Sequence, residues 1–161
     1  MSALDGLLSG PRAQGAFLLR LAMSAPWSLR VEDEAPLTLL AVLEGEPWVL
    51  GEEPVQLAPG DLSIMKGPET YLMADDPSTP VSIVVGPDQR CQALDGRSLV
   101  DEMMLGVRTW GNDCEGETQV LVGTYNLDTE VSRRLLRAIP RQIDLRADEW
   151  DGSLVEVLAA E

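Results

Sequence analysis

Residues 57–77 read "LAPGDLSIMKGPETYLMADDP", and the order of turn formers and apolar residues in this stretch decides the fold. "APGD" at 58–61 sets Pro59 and Gly60 at the second and third places of a type II turn. Proline fixes φ there, and glycine accepts the positive φ that the third place demands. Asp61–Met65 then predicts a strand, "GP" at 67–68 breaks the chain, and Thr70–Ala74 predicts a second strand. The stretch therefore reads as turn, strand, turn, strand.

The same punctuation extends in both directions. Short apolar runs divided by Gly and Pro predict strands at Ala16–Ser24, Trp27–Glu32, Leu37–Glu44, Pro47–Leu50, Val55–Leu57 and Val81–Val85. Thr118–Leu127 alternates as a longer strand, and "GVRTWG" from Gly106 as a short one. "LEGEP" at 43–47 puts Gly45 where a hairpin turn favours a residue at positive φ. The tail differs. "DTEVSRRLLRAIP" offers Asp128 or Thr129 as an N-cap, helical spacing at Val131, Leu135, Leu136 and Ile139, and Pro140 as the stop. After it come an extended piece, a turn at Asp151–Gly152 and a second helix opened by Ser153. The expected division is a β unit over residues 1–127 and a helical segment over 128–161. The second helix is still in register at Glu161, so the reading expects a longer parent protein.

Bulk composition narrows the function classes. With 161 residues, 45% hydrophobic and 24% charged, the chain can bury the core of one soluble domain. No apolar run is long enough to span a bilayer, and "MSALDGLLSG" lacks the form of a signal peptide, so a cytoplasmic protein is expected. The net charge of −15 repels phosphate backbones and anionic lipid, which argues against nucleic-acid or membrane binding by this chain. Cys91 and Cys114 read as free thiols in a reducing compartment, with a regulatory disulfide as the alternative. The acids around Cys114 disfavour its thiolate.

The absence of histidine removes the usual acid–base catalyst and the commonest metal ligand. Glu44, Glu46, Glu69, Asp61 and the two cysteines follow no metal-binding spacing, and no nucleophile motif occurs. The reading is therefore neither a metal site nor an enzyme, and it expects no cofactor.

Three stretches together resemble one family. "LLAVLEGEPWVL" (39–50) resembles the first conserved hairpin of the N-terminal, cupin-like sensor domain of AraC-type transcription regulators, in its actinobacterial form. Residues 57–77 resemble the second hairpin. "VLVGTYNLDTEVSRRLLRAIPRQIDLRADEWDGSLVEVLAAE" (120–161) resembles the segment that leaves the barrel for the helices. The likeness covers most of residues 4–161. It implies a mainly β, cupin-like double-stranded barrel (a jelly roll) followed by one or two α-helices. It further implies a domain that binds a small-molecule effector or mediates homodimerisation, with helix-turn-helix DNA contacts made elsewhere in the parent protein. The chain departs from broader relatives at Leu40 and Tyr71, where many cupins carry histidine, and at Lys66-Gly67-Pro68, where a Pro-x-Gly is usual.

On such a barrel, strand alternation turns Tyr71 and Met73 inward and Leu72 and Ala74 outward. It likewise turns Leu40 inward, together with Thr38 and Val42. With Trp48 and Trp110 as candidate walls, these seven residues would line an apolar pocket suited to a hydrophobic or aromatic effector. Plain core packing is the competing account of each. Trp27 and Trp150 read as covers for a barrel end or the helix junction, and Leu154, Val155 and Leu158 as a dimer face. The alternatives are a ligand-free dimerisation module and a stand-alone, metal-free cupin enzyme or carrier.

Overall fold

A computed structural model describes residues 17–87, 90–106, 108–125, 134 and 136–152. The predicted helix caps, Val131, Leu135 and the candidate dimer face at Leu154, Val155 and Leu158 lie outside the described residues.

The described strands are β1 (Phe17–Met23), β2 (Ser28–Val31), β3 (Leu37–Glu44), β4 (Trp48–Leu50), β5 (Pro54–Gln56) and β6 (Leu62–Lys66), followed by β7 (Tyr71–Ala74), β8 (Ile83–Val85), β9 (Cys91–Ala93), β10 (Thr109–Gly111), β11 (Thr118–Tyr125) and β12 (Gln142–Leu145). They form two six-stranded sheets, ordered β10-β1-β11-β3-β6-β12 and β5-β4-β7-β2-β8-β9. This is the expected mainly β jelly roll.

The opening stretch forms as read, with one correction. The 58–61 turn closes through an Asp61 N–H to Ala58 carbonyl bond of 2.9 Å, with Gly60 at φ 91°. However, β6 lies in the first sheet and β7 in the second, so residues 57–77 are a sheet-to-sheet crossing and not a paired hairpin. The same correction applies at 43–47. Gly45 has the expected positive φ of 84°, yet β3 and β4 belong to different sheets. The turn there packs on another strand: a Cβ at Gly45 would lie 2.8 Å from the Glu117 carbonyl oxygen. The hairpin in this region is β4–β5, with Leu50 opposite Pro54.

Between the sheets sits the main core, which includes Met23, Trp27, Leu29, Leu40, Val42, Val49, Leu57, Met73 and Val120. Trp27 is 1% exposed and belongs to this core. A second apolar cluster joins Leu39, Ala41, Leu62 and Leu121, with Trp150 and Leu145 packed against it. Odd-numbered β3 residues thus serve one cluster and even-numbered residues the other. A strand buried on both faces reads as a continuous apolar run, which is why "LTLLAVL" shows no polar alternation.

β12 pairs with β6 from Gln142↔Met65 to Leu145↔Leu62, so the extended piece expected within 128–161 is a strand of the first sheet. Its exit is anchored by Asp61, which accepts from the N–H groups of Ala58 and Ala147 (both 2.9 Å) and from Arg146 Nη1 (2.8 Å). The indole N–H of Trp150 donates to the Gly60 carbonyl at 3.0 Å. Trp150 therefore covers the 58–61 turn.

Candidate functional site

The alternation of β7 sets the site. Tyr71 stands opposite Val31, and Met73 opposite Leu29, so all four project toward the space between the sheets. On the facing sheet, Leu40 of β3 is opposite Val122 of β11, which is itself opposite Leu19 of β1. These side chains bound an interior cavity of about 50 Å³. Its wall is completed by Leu21, Asp33, Val85, Cys91, Trp110 and Thr124. The edge strands β9 and β10 each contribute one wall residue, Cys91 and Trp110.

Of the seven candidates, Leu40, Tyr71, Met73 and Trp110 line this cavity. Thr38 sits behind it, buried and hydrogen-bonded to Tyr71. Val42 is in the main core, away from the cavity wall. Trp48 is placed differently from the reading. It is directly opposite Ala74, whereas its neighbour Val49 is opposite Met73. Cross-strand partners share a face, so Trp48 lies with Ala74 on the outer face and Val49 points inward.

Several wall residues were not picked from the sequence. Val122 and Thr124 were legible in principle, since Val120, Val122 and Thr124 alternate along "TQVLVGTY". Asp33 lies in a loop and Cys91 in a three-residue strand, neither of which has a pattern that announces it.

Polar groups in the wall are few. Burial pushes the Tyr71 hydroxyl above its ordinary range, and the Asp33 charge adds to this; the Thr38 hydrogen bond acts in the opposite direction. Tyr71 is therefore a neutral phenol at physiological pH. Burial pushes the Cys91 thiol up to about 11, so it too stays protonated. Asp33 accepts from the Ala35 N–H at 3.2 Å. The indole Nε1 of Trp110 is buried without a hydrogen-bond partner among the described residues.

A metal fits this wall poorly. Leu40 and Tyr71, which stand where the resemblance places imidazoles in other cupins, offer none, and the single thiol in the wall holds its proton. No group of three or more His, Cys, Asp or Glu that could hold a metal occurs among the described residues.

Two further grooves lie on the surface, and one of them adjoins the site. One, of about 200 Å³, includes Gly51, Glu69, Tyr71, Arg141 and Gln142, so Tyr71 borders both this groove and the interior. The other, of about 300 Å³, runs past Glu34, Lys66, Pro68, Leu136 and Arg137. Lys66 Nζ donates to the carbonyls of Leu136 (2.9 Å) and Ile139 (2.8 Å), which fastens β6 to the helical residues 136–138. No helix among the described residues is long and apolar enough to cross a membrane.

A family model described as Cupin matches residues 2–161. No curated protein matches the chain.

Proposed function

This chain belongs to the cupin family, and we propose that its barrel is the metal-free effector-sensing and dimerising domain of a cytoplasmic AraC-type transcription regulator. The observation that carries the reading is the interior cavity, walled by apolar side chains and edged by the Tyr71 hydroxyl and the Trp110 indole. Such a wall suits a small apolar molecule better than a sugar or an ion. The wall is mostly apolar, which supports a binding role.

The hydrogen bonds from Lys66 to Leu136 and Ile139 tie the first sheet to the helical segment. A ligand that fits one arrangement of barrel and helical segment better than another shifts the population toward it. That shift would be felt by any DNA-binding domains the segment leads to. Dimerisation through Leu154, Val155 and Leu158 is part of this proposal.

A second reading has its own support. A cavity of about 50 Å³ is far below the ~300–1,000 Å³ of ordinary ligand sites, which favours a filled barrel used only for assembly. Native mass spectrometry of the protein purified from its host's extract separates the two. A stoichiometric organic adduct without metal supports the sensor, an empty dimer supports the assembly module, and a bound transition metal overturns both.

A further inference from the structure

We infer that a second ligand site lies outside the interior, in the groove between the barrel and the helical residues 136–138, and that it takes a small carboxylate on an apolar frame. The groove measures about 300 Å³. That reaches the lower end of ordinary ligand sites, ~300–1,000 Å³, which the interior cavity does not. One wall is the loop at Glu34 and Pro36, the second the turn at Lys66 to Pro68, the third Leu136 and Arg137. The first two are fastened together. The Gly67 N–H donates to the Pro36 carbonyl at 3.0 Å, and a Cβ at Gly67 would have no room against the Ala35 carbonyl. Lys66 Nζ holds the third through the Leu136 and Ile139 carbonyls. A molecule seated here touches barrel and helical segment at once, whereas the wall of the interior cavity includes no helical residue.

Charge selects the ligand. Pro36, Pro68 and Leu136 make the lining apolar, and its charged side chains among the described residues are Glu34, Lys66 and Arg137. The Lys66 ammonium already serves two carbonyls. Arg137 is exposed and has no ion-pair or hydrogen-bond partner for its guanidinium among the described residues. Arg30, Arg97, Arg141 and Arg146, by contrast, each face a carboxylate. A guanidinium only donates, and its planar fork of N–H groups matches a carboxylate. Two cations against one acid leave the groove locally positive. The net charge of −15 does not cancel this, because exposed charges farther off than about 8 Å are largely screened at physiological salt. Arg137 therefore takes the carboxylate, and Pro36, Pro68 and Leu136 take the frame.

The test uses the whole chain with labelled leucine and valine methyls, and follows Leu136, Leu40 and Val122 by NMR. Four probes share one ring: cyclohexanecarboxylate, cyclohexanecarboxamide, cyclohexylammonium and the zwitterion 1-aminocyclohexanecarboxylate. The acid should shift the Leu136 methyls, leave Leu40 and Val122 unmoved, and bind about fivefold tighter than the amide. Arg137→Gln should bring acid and amide to equal affinity, and Glu34→Gln should tighten the acid. Both side chains are exposed, so both variants are expected to fold. Equal binding of acid and amide by the unaltered protein overturns the role of Arg137. Tighter binding of the ammonium or the zwitterion overturns the choice of a carboxylate. An acid that moves Leu40 and Val122 but not Leu136 overturns the groove site and supports the interior one. Leu136 unmoved by all four probes overturns the inference, and the interior site then stands or falls by native mass spectrometry.

Discussion

Asp61 and Trp110 are both buried polar side chains, at 4% and 8% exposure, and their surroundings are opposite. The Asp61 carboxylate accepts two main-chain N–H groups and one guanidinium. Trp110 offers a donor that no described residue accepts. Burial raises the pKa of Asp61, yet the Ala58 N–H, Arg146 and the Ala147 N–H outweigh it and bring the carboxyl below its ordinary value. A satisfied buried charge of this kind fixes architecture: it ties the 58–61 turn to the exit of β12. A buried donor without an acceptor has the opposite effect and costs the fold some stability. Buried polarity alone does not mark a functional site, and neither does an unmatched donor, since the Trp27 indole N–H is equally buried and unpartnered within the main core.

The comparison can be broken most severely at Asp61. Asp61→Ala strands two main-chain donors and a guanidinium, and a loss of about 3 kcal/mol is expected in urea unfolding. Arg146 is half exposed, so most of that loss arises from the two N–H groups. A loss under about 1 kcal/mol would show that the corner is not structural.

Asp61 also predicts a pH dependence. Its folded pKa is lower than its unfolded one, so its contribution is present above about pH 4 and is lost as pH falls through the folded value. Asp61→Asn should flatten this acid limb when unfolding midpoints at pH 6 and pH 3 are compared. An acid limb as steep as that of the unaltered protein would assign it to other carboxylates.

On the cavity side the effects are smaller. Tyr71→Phe removes the hydroxyl bonded to Thr38 and should cost about 1 kcal/mol in the same assay. Trp110→Phe should cost less, within about 1 kcal/mol, because lost ring contact is offset by removing a donor without an acceptor. A Trp110→Phe penalty above that of Tyr71→Phe would mean the indole N–H is satisfied in solution. The smallest effect belongs to the exposed Arg97–Glu102 pair at 2.9 Å. Arg97→Ala should change stability by less than about 0.5 kcal/mol, which sets the scale for a contact left in water.

The degree to which the sequence was legible follows the same division. β3 is found at its predicted bounds, and β1, β2, β6, β7 and β11 close to theirs, because Gly and Pro mark their ends and apolar runs fill their middles. β9 and its Cys91 were missed, since three residues are too few to show a period. Leu40, Tyr71 and Met73 were legible as wall residues from alternation within their own strands. Trp48 was misplaced because its face depends on which residue of β7 stands opposite it, and Trp48↔Ala74 is a register that no local pattern contains.

The sequence by itself determined the strand-rich class, the turns at Gly45 and Gly60, the acidic surface and the lack of imidazole. Each depends on residue type or on neighbours a few positions away, where backbone sterics and side-chain chemistry act directly. Only the tertiary structure decided that residues 43–47 and 57–77 cross between sheets, that β12 returns to β6, and that Asp61 is satisfied while Trp110 is not. Those outcomes are contacts between residues up to 90 positions apart. They are fixed by packing two sheets on one core, which a single strand's pattern does not encode.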